Sequence, residues 1–466
     1  MVTEKKLYRR RIFGYLAGMI PVTLFAGFFG TAYTKFFLDE LKLPAYYFII
    51  ALVIYAIVNM FNDPIIGNMS DNTNAKKWGS RRIIYIKFGA PLLTIAFVLI
   101  WLFPRPDWSP FILFLYFVIT ICFYETFFTM VVMCWYALLP EITLNVDQRA
   151  KINFIGSILM LISGLPTILV STLAFEDIKF WSYIVGGIGF VCYIFVIIFS
   201  KESPEFHNEK ATPLLQSIKE VLKSKGYRIF MLYNFLHMIG GSLNSSFLFL
   251  FWYWIGEGNI LYYFLLVVVV GYGSNIVCLS LRKKYGIVKL ITVFGIIRFA
   301  VAITTFILVM IPTPATQWFL WIGLVLIYFF NGPGVFTYIL QTAPIDEDEM
   351  KYGSRREGMF FGINALFTMP ANSIGPIVGT ILMVFGFGYV QGAEGSAQPA
   401  SVFTGIKFIF ILLPHILGFI ALLIARKYPL NNKELINIET NLEILHKEKK
   451  ERIGIKTEPL DENTPG

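Results

Sequence analysis

Apolar segments of roughly 20 residues follow one another along the whole 466-residue chain, about twelve in all. An α-helix of that length crosses the ~30 Å hydrocarbon core of a bilayer. The hydrophobic share is 56%, the charged share is 15% and the mean hydropathy is +0.65. A soluble core of this size would need far more charge on its surface. The sequence therefore predicts an all-α membrane protein with twelve transmembrane helices.

Twelve spans can be marked directly on the sequence. Lys5, Lys6 and Arg9 precede a first apolar segment of full spanning length, so no cleavable signal peptide is expected. A break is expected in the eleventh span, near Pro370 or Gly375. The predicted spans are 12–34, 45–68, 83–104, 110–137, 153–174, 180–200, 229–254, 260–281, 289–311, 318–341, 359–389 and 404–425.

Basic residues in the connections predict the orientation. If the N-terminus is cytoplasmic, the cytoplasmic segments before the last span carry 23 Lys and Arg, whereas the other face carries only Lys35, Lys42, Arg105 and Lys179. Cytoplasmic loops are enriched in Lys and Arg, so both termini are expected in the cytoplasm of a cell with the protein in its plasma membrane. The net charge of +9 then faces cytosol and anionic lipid headgroups, and it calls for no nucleic-acid partner.

Two short motifs recur at the same places in the two halves of the chain. "KKWG" at 76–79 follows the second span and "KKYG" at 283–286 follows the eighth, an offset of 207 residues. "LLPEITLNVDQR" follows the fourth span and "TAPIDEDEMKYGSRR" the tenth, with prolines offset by 204 residues. Such a duplication predicts two pseudo-symmetric six-helix halves around a central cavity, which is the plan of an alternating-access transporter. The predicted division is 1–200, a central cytoplasmic loop 201–228, 229–425, and a cytoplasmic tail 426–466.

Motifs for enzymatic or nucleotide-driven chemistry are absent from the sequence. The four cysteines all fall inside apolar runs with no CxxC spacing, and the four histidines are scattered. No GxxxxGK[ST] motif that would bind a nucleotide occurs. We therefore expect neither an enzyme nor a metal or organic cofactor, only a coupling ion.

Four sequence segments then suggest a family. They are "NDPIIGNMSDNTNAKKWGSRR" after the second span, "YALLPEITLNVDQRAKIN" after the fourth, "YGSRREGMFFG" at the start of the eleventh, and "RKYPLNNKELINIETNLEIL" after the last. In this order they resemble segments of the glycoside-pentoside-hexuronide:cation symporters, the family of the melibiose carrier. The resemblance implies a major facilitator fold and symport of a sugar or glycoside with H⁺, Na⁺ or Li⁺. Some relatives of that family carry lysophospholipids.

Asp63 and Glu125 are the carboxylates placed well inside predicted spans. A carboxylate at that depth must be paired, hydrogen-bonded or protonated. Asn59, four residues before Asp63, shares its helical face, and Asn62 lies beside that face. By the resemblance, Asp63 is expected to carry the coupling ion, and from their positions we expect Asn59, Asn62 and Glu125 to assist. The alternative for Asp63 is a structural role near the cytoplasmic end of the helix, where Pro64 follows it.

The chain departs from the family pattern at the coupling site. Asn59 stands where the family has a second carboxylate, Val132 aligns with the family's fourth-helix acid, and the region of Pro370 aligns with its eleventh-helix lysine. Fewer acids favour H⁺ over Na⁺ as the coupling ion, and uncoupled transport stays open. That Glu125 replaces the missing acid is our inference from its depth.

Charged residues near the cytoplasmic span ends are candidate gate residues. Asp71 can accept hydrogen bonds from Arg81 or Arg82 in the same connection. The alternative is a solvated loop that follows the positive-inside rule. The resemblance implies gate ion pairs between Arg149 and Glu357, and between Asp346 or Asp348 and Arg298 or Arg356.

The substrate is expected to be a small molecule, most simply a sugar. By the resemblance, Trp135 and Tyr136 lie where the family's fourth helix contributes an aromatic residue to the sugar pocket. Asn244 and Asn364 are intramembrane amides that suit sugar hydroxyls. Packing between helices explains all four residues equally well.

Two other functions remain open at the level of sequence. One is a lipid or lysophospholipid carrier of the same fold, and the other is a non-transporting membrane receptor or scaffold. A monomer in the lipid bilayer is expected in each case.

Overall fold

The computed structural model describes residues 2–71, 73–136, 138–139, 146–200, 219, 221–256, 259–352, 357–393, 395–429, 434, 437–438 and 441. These residues contain helices and connections but no strand. Twelve helical segments follow one another, which confirms the predicted all-α membrane fold with twelve transmembrane helices.

The first six helices, here called the first half, pass back and forth across the molecule. They are α1 (Val2–Ala17, Met19–Thr34 and Lys35–Glu40), α2 (Ala45–Asp71), α3 (Ile83–Leu102), α4 (Pro110–Tyr136), α5 (Val146–Leu169, continued by Val170–Thr172) and α6 (Phe175–Phe199).

The last six helices, here called the second half, contain more interruptions. They are α7 (Lys225–Ser246 and Leu248–Ile255), α8 (Ile260–Leu265, Leu266–Gly271 and Tyr272–Tyr285), α9 (Ile287–Met310), α10 (Thr316–Phe329, Gly332–Phe336 and Thr337–Tyr352), α11 (Glu357–Thr380 and Ile381–Gly386) and α12 (Ala400–Lys407, Phe408–Leu412 and Leu413–Ala425).

Helices dominate because lipid offers no partner for backbone N–H and C=O groups, so each spanning segment must satisfy them internally. Ten of the described helices are long and apolar enough to span a membrane by themselves. The α7 helix qualifies as a pair of helices bent by 55°, and α8 is shorter because its apolar part, Leu266–Arg282, ends in a basic residue.

The helices are interrupted at positions other than the one predicted from the sequence. We expected a break in α11 near Pro370 or Gly375, and this was wrong, because the helix continues through Pro370 and Pro376 to Thr380. At Gly375 the helix instead touches α7, where a Cβ would lie 2.6 Å from the Ile239 carbonyl oxygen. Interruptions do occur in α7, which bends by 55° after Ser246, and in α10, where Gly332–Phe336 form a tighter 3₁₀ turn.

Each half has its own set of packed helices. In the first half, α4 packs on α2 and α3, while α1 packs on α5 and α6. In the second half, α7 packs on α11 and α12, while α9 packs on α10 and α12. The halves meet where α2 packs on α11 and α1 on α7.

The halves are tied together at one end of the molecule. We call the face that carries residues 2–8 and 73–82 the N-face, and the face that carries residues 41–44 and 387–393 the opposite face. Asp39, at the opposite face, accepts hydrogen bonds from the Tyr253 hydroxyl at 2.9 Å, from the Gly392 backbone N–H at 2.8 Å, and from the Tyr389 hydroxyl. These contacts join α1 to α7 and to the connection after α11.

Other contacts reinforce this closure. The Gln391 amide donates to the backbone oxygens of Leu38 and Leu43, each at 2.7 Å. The Trp252 indole donates to the Ser171 hydroxyl at 2.7 Å. Burial and the neighbouring Asp39 raise the pKa of Tyr389, so its hydroxyl stays protonated and donates to Asp39. The opposite face is therefore closed in this conformation.

Candidate functional site

Two carboxylates face each other between α2 and α4. Asp63 is 4% exposed, Glu125 is 7% exposed and Asn59 is 1% exposed. Asn59 lies one turn before Asp63 on α2 and close to the Glu125 carboxylate of α4. The Tyr55 hydroxyl, one further turn along α2, donates to Glu125 Oε2 at 2.9 Å. The structure thus brings together three of the four residues expected at the coupling site.

The fourth residue, Asn62, lies beside this group. Its amide is 3.2 Å from the Thr126 hydroxyl, which also joins α2 to α4. Because this hydrogen bond joins α2 to α4 at the residue directly before Asp63, it helps to fix the spacing of the two helices at the acid pair. Asn62 is therefore adjacent to the acid pair without touching it in the contacts described.

Two buried oxygens of this site have no hydrogen-bond partner. They are Asp63 Oδ1 and Asn59 Oδ1. The Thr129 side chain of α4 lies close to Asp63. Among the described residues, the ionisable groups recorded near Glu125 are Asp63, Tyr55, Cys122 and Tyr124, and no lysine or arginine neutralises the pair. Two carboxylates in a low-dielectric setting can remain there only with a proton or a bound cation.

Sequence reasoning missed Tyr55 and Thr129. A signal for Tyr55 was present, since Tyr55, Asn59 and Asp63 follow one another at intervals of four residues and so share one face of α2. Thr129 is likewise four residues after Glu125 on α4. What the sequence could not supply was that these two helical faces are opposed.

The two aromatic residues predicted for the substrate pocket lie away from the acid pair. Trp135 is fully buried, its indole donates to the Tyr15 backbone oxygen at 2.9 Å, and its ring stacks on Tyr15 with centroids 4.9 Å apart. Gly18 is needed beside it, because a Cβ there would overlap the indole. Tyr136 is 49% exposed. In this conformation Trp135 packs α4 on α1, and neither ring is among the contacts of the acid pair.

The two amides predicted for the substrate lie on the packed helices α7 and α11. Asn244 and Asn364 are each partly buried, and each has a buried Oδ1 atom without a hydrogen-bond partner. An unmet buried acceptor is costly. Both residues therefore retain acceptor capacity for a hydroxyl group of a solute or for water.

Several predicted gate residues lie outside the described part of the protein. This holds for Arg356 and for the side chains of Asp71, Arg149 and Glu357. Arg81 is 3% exposed and has interaction partners. Asp346 lies near the N-face end of α10, beside the phenol of Tyr428, and it too has partners.

Arg298 is not at the gate in this conformation. Its Nη1 donates to Asn331 Oδ1 at 2.7 Å, which joins α9 to α10. Asp346 follows Asn331 by 15 residues along α10, a separation of about 20 Å at the helical rise per residue. In this conformation the described partner of Arg298 is therefore an amide of α10, and the pairing of Asp346 or Asp348 with Arg298 or Arg356 stays a prediction.

Comparison with known proteins places the chain among transporters. A family model described as MFS/sugar transport protein matches residues 14–432. The chain is 22% identical to chicken (Gallus gallus) Transmembrane protein 180 over 91% of this chain and 93% of that protein. It is also 22% identical to the putative glycoside/cation symporter YagG of Escherichia coli strain K12, over 82% of this chain and 83% of that protein.

A solved structure supports the fold. The chain is similar to the crystal structure of a D-xylose-proton symporter with a TM-score of 0.59 and 15% identity, covering 90% of this chain and 97% of that chain. At that identity the likeness concerns the fold alone.

Proposed function

The chain belongs to the MFS/sugar transport protein family and is a multi-pass membrane transporter of small molecules rather than an enzyme, and from this premise we propose that it moves a sugar or glycoside together with H⁺. The proposal is a symport by alternating access, in which each half moves as a unit and the binding sites face one side of the membrane at a time.

The observation that carries the coupling is the acid pair Asp63 and Glu125, buried between α2 and α4 with no basic partner among the described residues. Glu125 already receives the hydrogen bond of Tyr55 at 2.9 Å, which stabilises its ionised form. Asp63 is left as the group that gains and loses the proton.

The two unpartnered oxygens favour a proton over a metal ion. A proton on Asp63 turns that carboxyl into a donor, and Asn59 Oδ1, one turn away, is the acceptor that lacks a partner. A single proton thereby satisfies both side chains and removes one charge from the pair. Sodium would instead need several oxygens arranged around one centre.

The closed opposite face suggests the order of events. With Asp39 tied to Tyr253 and Gly392, solute and proton leave toward the N-face, and they enter after this network opens. The distribution of Lys and Arg supports a cytoplasmic N-face in the plasma membrane. We propose import by a monomer on this basis.

The substrate class rests on the relatives and on the amides. The name of the YagG relative describes glycoside and cation symport. The unmet acceptors of Asn244 and Asn364 suit sugar hydroxyls. A lysophospholipid carrier of the same fold is the alternative class, and the experiment below separates the two.

Uptake into proteoliposomes tests the proposal. The purified protein is reconstituted, and counterflow is measured with a panel of radiolabelled sugars, glycosides and one lysophospholipid. Uptake of the active solute is then driven by a pH gradient or by a Na⁺ gradient, applied separately. We expect a sugar or glycoside to exchange and to accumulate under the pH gradient. Accumulation under Na⁺ alone would overturn the choice of ion, and exchange of the lysophospholipid alone would overturn the substrate class.

A further inference from the structure

A second polar cluster lies wholly within the second half, among α7, α9, α10 and α12. These helices surround a cavity that is partly open to the outside and has a volume of about 50 Å³. Its wall includes Tyr233, His237, Arg298, Asn331, His415 and Phe419. The interrupted part of α10 contributes Pro333 and Gly334 to the same wall. Irregular backbone at membrane depth is tolerated where it lines such a space.

The basic residues of this cluster lie near the middle of their helices. Arg298 follows the start of α9 by 11 residues and precedes its end by 12, so it is about 17 Å from the start and about 18 Å from the end. His237 and His415 are also far from the ends of α7 and α12. A cation at this depth of a bilayer is costly unless something compensates its charge.

Nothing among the described residues neutralises Arg298. Its hydrogen-bond partner, Asn331, is an uncharged amide, and Arg298 Nε has no partner. The ionisable groups that act on Arg298 are the phenols of Tyr233 and Tyr328, and Arg298 in turn acts on His237 and His415. Positive charge is therefore concentrated beside an open cavity without a carboxylate.

Lys407 of α12, another cation within a spanning helix, has neighbours that compensate its charge. Lys407 donates to the Val309 backbone oxygen at 2.9 Å and lies over the Trp254 ring at 5.4 Å. It does not line the cavity. Lys407 is half-buried, as Arg298 is, yet it has both a carbonyl oxygen and an aromatic ring beside its charge, whereas among the described residues Arg298 hydrogen-bonds only the Asn331 amide.

Each of the two histidines that line the cavity has a ring nitrogen that can accept a hydrogen bond. His237 Nδ1 lies 3.3 Å from the Tyr233 backbone oxygen, and His415 Nδ1 lies 2.7 Å from the Ile411 backbone oxygen. A carbonyl oxygen only accepts, so each Nδ1 carries the proton, and in the neutral ring Nε2 is left as an acceptor. His415 Nε2 is buried and has no partner.

We propose that this cavity binds a small carboxylate that also carries a hydroxyl group. The carboxylate lies against Arg298, whose Asn331 contact holds the guanidinium in place, and the hydroxyl donates to His415 Nε2. One negative charge matches the single charge of the arginine. A phosphate, with about −1.5 to −2 charges at neutral pH, would leave part of its charge uncompensated inside the membrane. The site is separate from the acid pair and does not depend on the direction or coupling of transport.

Three small probes test the proposal on the purified full-length protein by isothermal titration calorimetry. Lactate has both groups, propionate lacks the hydroxyl, and lactamide lacks the charge. Propionate should bind about 5- to 10-fold more weakly than lactate, the usual effect of one hydrogen bond. Lactamide should bind at least about tenfold more weakly, since it cannot pair with the guanidinium.

Variants assign the effect to the residues. Arg298→Gln should weaken lactate at least about tenfold, and Arg298→Lys should restore part of the affinity if the charge is what matters. His415→Leu should make lactate and propionate bind equally. Lys407→Gln is the matched control and should bind lactate as the unchanged protein does. Thermal unfolding of every variant checks that it is folded.

The proposal fails if Arg298→Gln, shown to be folded, binds lactate with unchanged affinity, which would leave Arg298 as a structural tie to α10. It also fails if lactamide binds as tightly as lactate. Tighter binding of inorganic phosphate than of lactate would overturn the carboxylate assignment.

Discussion

Each half of the protein contains a polar cluster deep in the membrane. The two clusters have opposite charge, and the amount of space around their charged groups differs. In the first half, Asp63 and Glu125 are 4% and 7% exposed, and their neighbours fill the space between α2 and α4. In the second half, Arg298 is half-buried, its partner Asn331 is exposed, and both line a cavity. Each cluster uses one asparagine as its contact to the charged group.

The difference in the space around the charged groups indicates a difference in role. A tightly enclosed acid pair can exchange a proton, because a proton needs no volume of its own. An arginine beside an open cavity can compensate a solute anion. Duplicated halves thus carry unlike polar groups, and the comparison can be tested by changing one cluster or its surroundings at a time.

The largest effect is expected from Asp63→Asn. A pH gradient of one unit is worth about 1.4 kcal/mol, so one-to-one symport accumulates a neutral solute up to about tenfold. The variant should bring the solute only to equal concentrations while still exchanging it, because the amide cannot carry the proton. Uphill uptake and counterflow in proteoliposomes measure the two activities.

Asp107→Asn is the control for this variant, since Asp107 is an exposed carboxylate in the connection between α3 and α4. It should accumulate solute normally. Undiminished uphill uptake by Asp63→Asn would show that the acid pair does not couple proton movement to transport. It would therefore contradict the difference in role between the two clusters.

A smaller but clear effect is expected at the closed opposite face. Asp39→Ala removes the acceptor for Tyr253, Tyr389 and Gly392, and each hydrogen bond to a charged group contributes about 1.5–3 kcal/mol. The closed state should therefore be less populated. In a background without native cysteines, maleimide labelling of Ser246→Cys from the opposite face should become about tenfold faster.

Asp177→Ala, which changes an exposed acid at the start of α6, is the matched control and should leave the labelling rate unchanged. Equal labelling of position 246 in Asp39→Ala and in the unchanged protein would show that the Asp39 network does not hold the face closed.

Tyr55→Phe should sharpen the distinction between the two carboxylates. The substitution keeps the ring and removes one hydrogen bond to Glu125, worth about 1.5–3 kcal/mol at a charged acceptor. We expect the initial uptake rate to fall several-fold while the accumulation ratio stays the same, because Asp63 carries the proton. A lost accumulation ratio would instead assign the proton to Glu125.

The smallest effect on transport is expected from Trp135→Phe. The indole hydrogen bond to Tyr15 would be lost along with some packing, at a cost of about 1–2 kcal/mol of stability. Thermal unfolding should therefore move to lower temperature, and KM for the solute should not change. Tyr136→Phe is the control and should alter neither. A raised KM in Trp135→Phe would return this residue to the substrate site.

Much of the fold could be predicted because the length of each apolar segment shows directly whether it can span the membrane as a helix. All twelve predicted spans overlap described helices. The bend of α7 at Phe247 and the 3₁₀ turn of α10 at Gly332–Phe336 were not predicted, because both depend on contacts with neighbouring helices. At Pro370 a break was predicted that does not occur, since tight packing on α7 keeps α11 continuous through this residue.

The candidate site was predictable where its residues share one helix. Asn59 and Asp63 lie one turn apart, and the depth of Asp63 together with the family resemblance identified them. Arg298 was expected in a gate ion pair, but Asn331 follows it by 33 residues and His415 by 117, so only the packing of four helices reveals the cluster. Trp135 could not be separated from core aromatics by sequence, since its stacking on Tyr15 joins residues 120 positions apart.

The most direct test of the central claim is the proton movement itself. Proteoliposomes that enclose a pH-sensitive dye are given a downhill gradient of the solute identified by counterflow, with no imposed pH gradient. The account predicts that solute entry acidifies the lumen in the unchanged protein and leaves its pH constant in Asp63→Asn. Solute entry without acidification in the unchanged protein, or equal acidification in the variant, would contradict it.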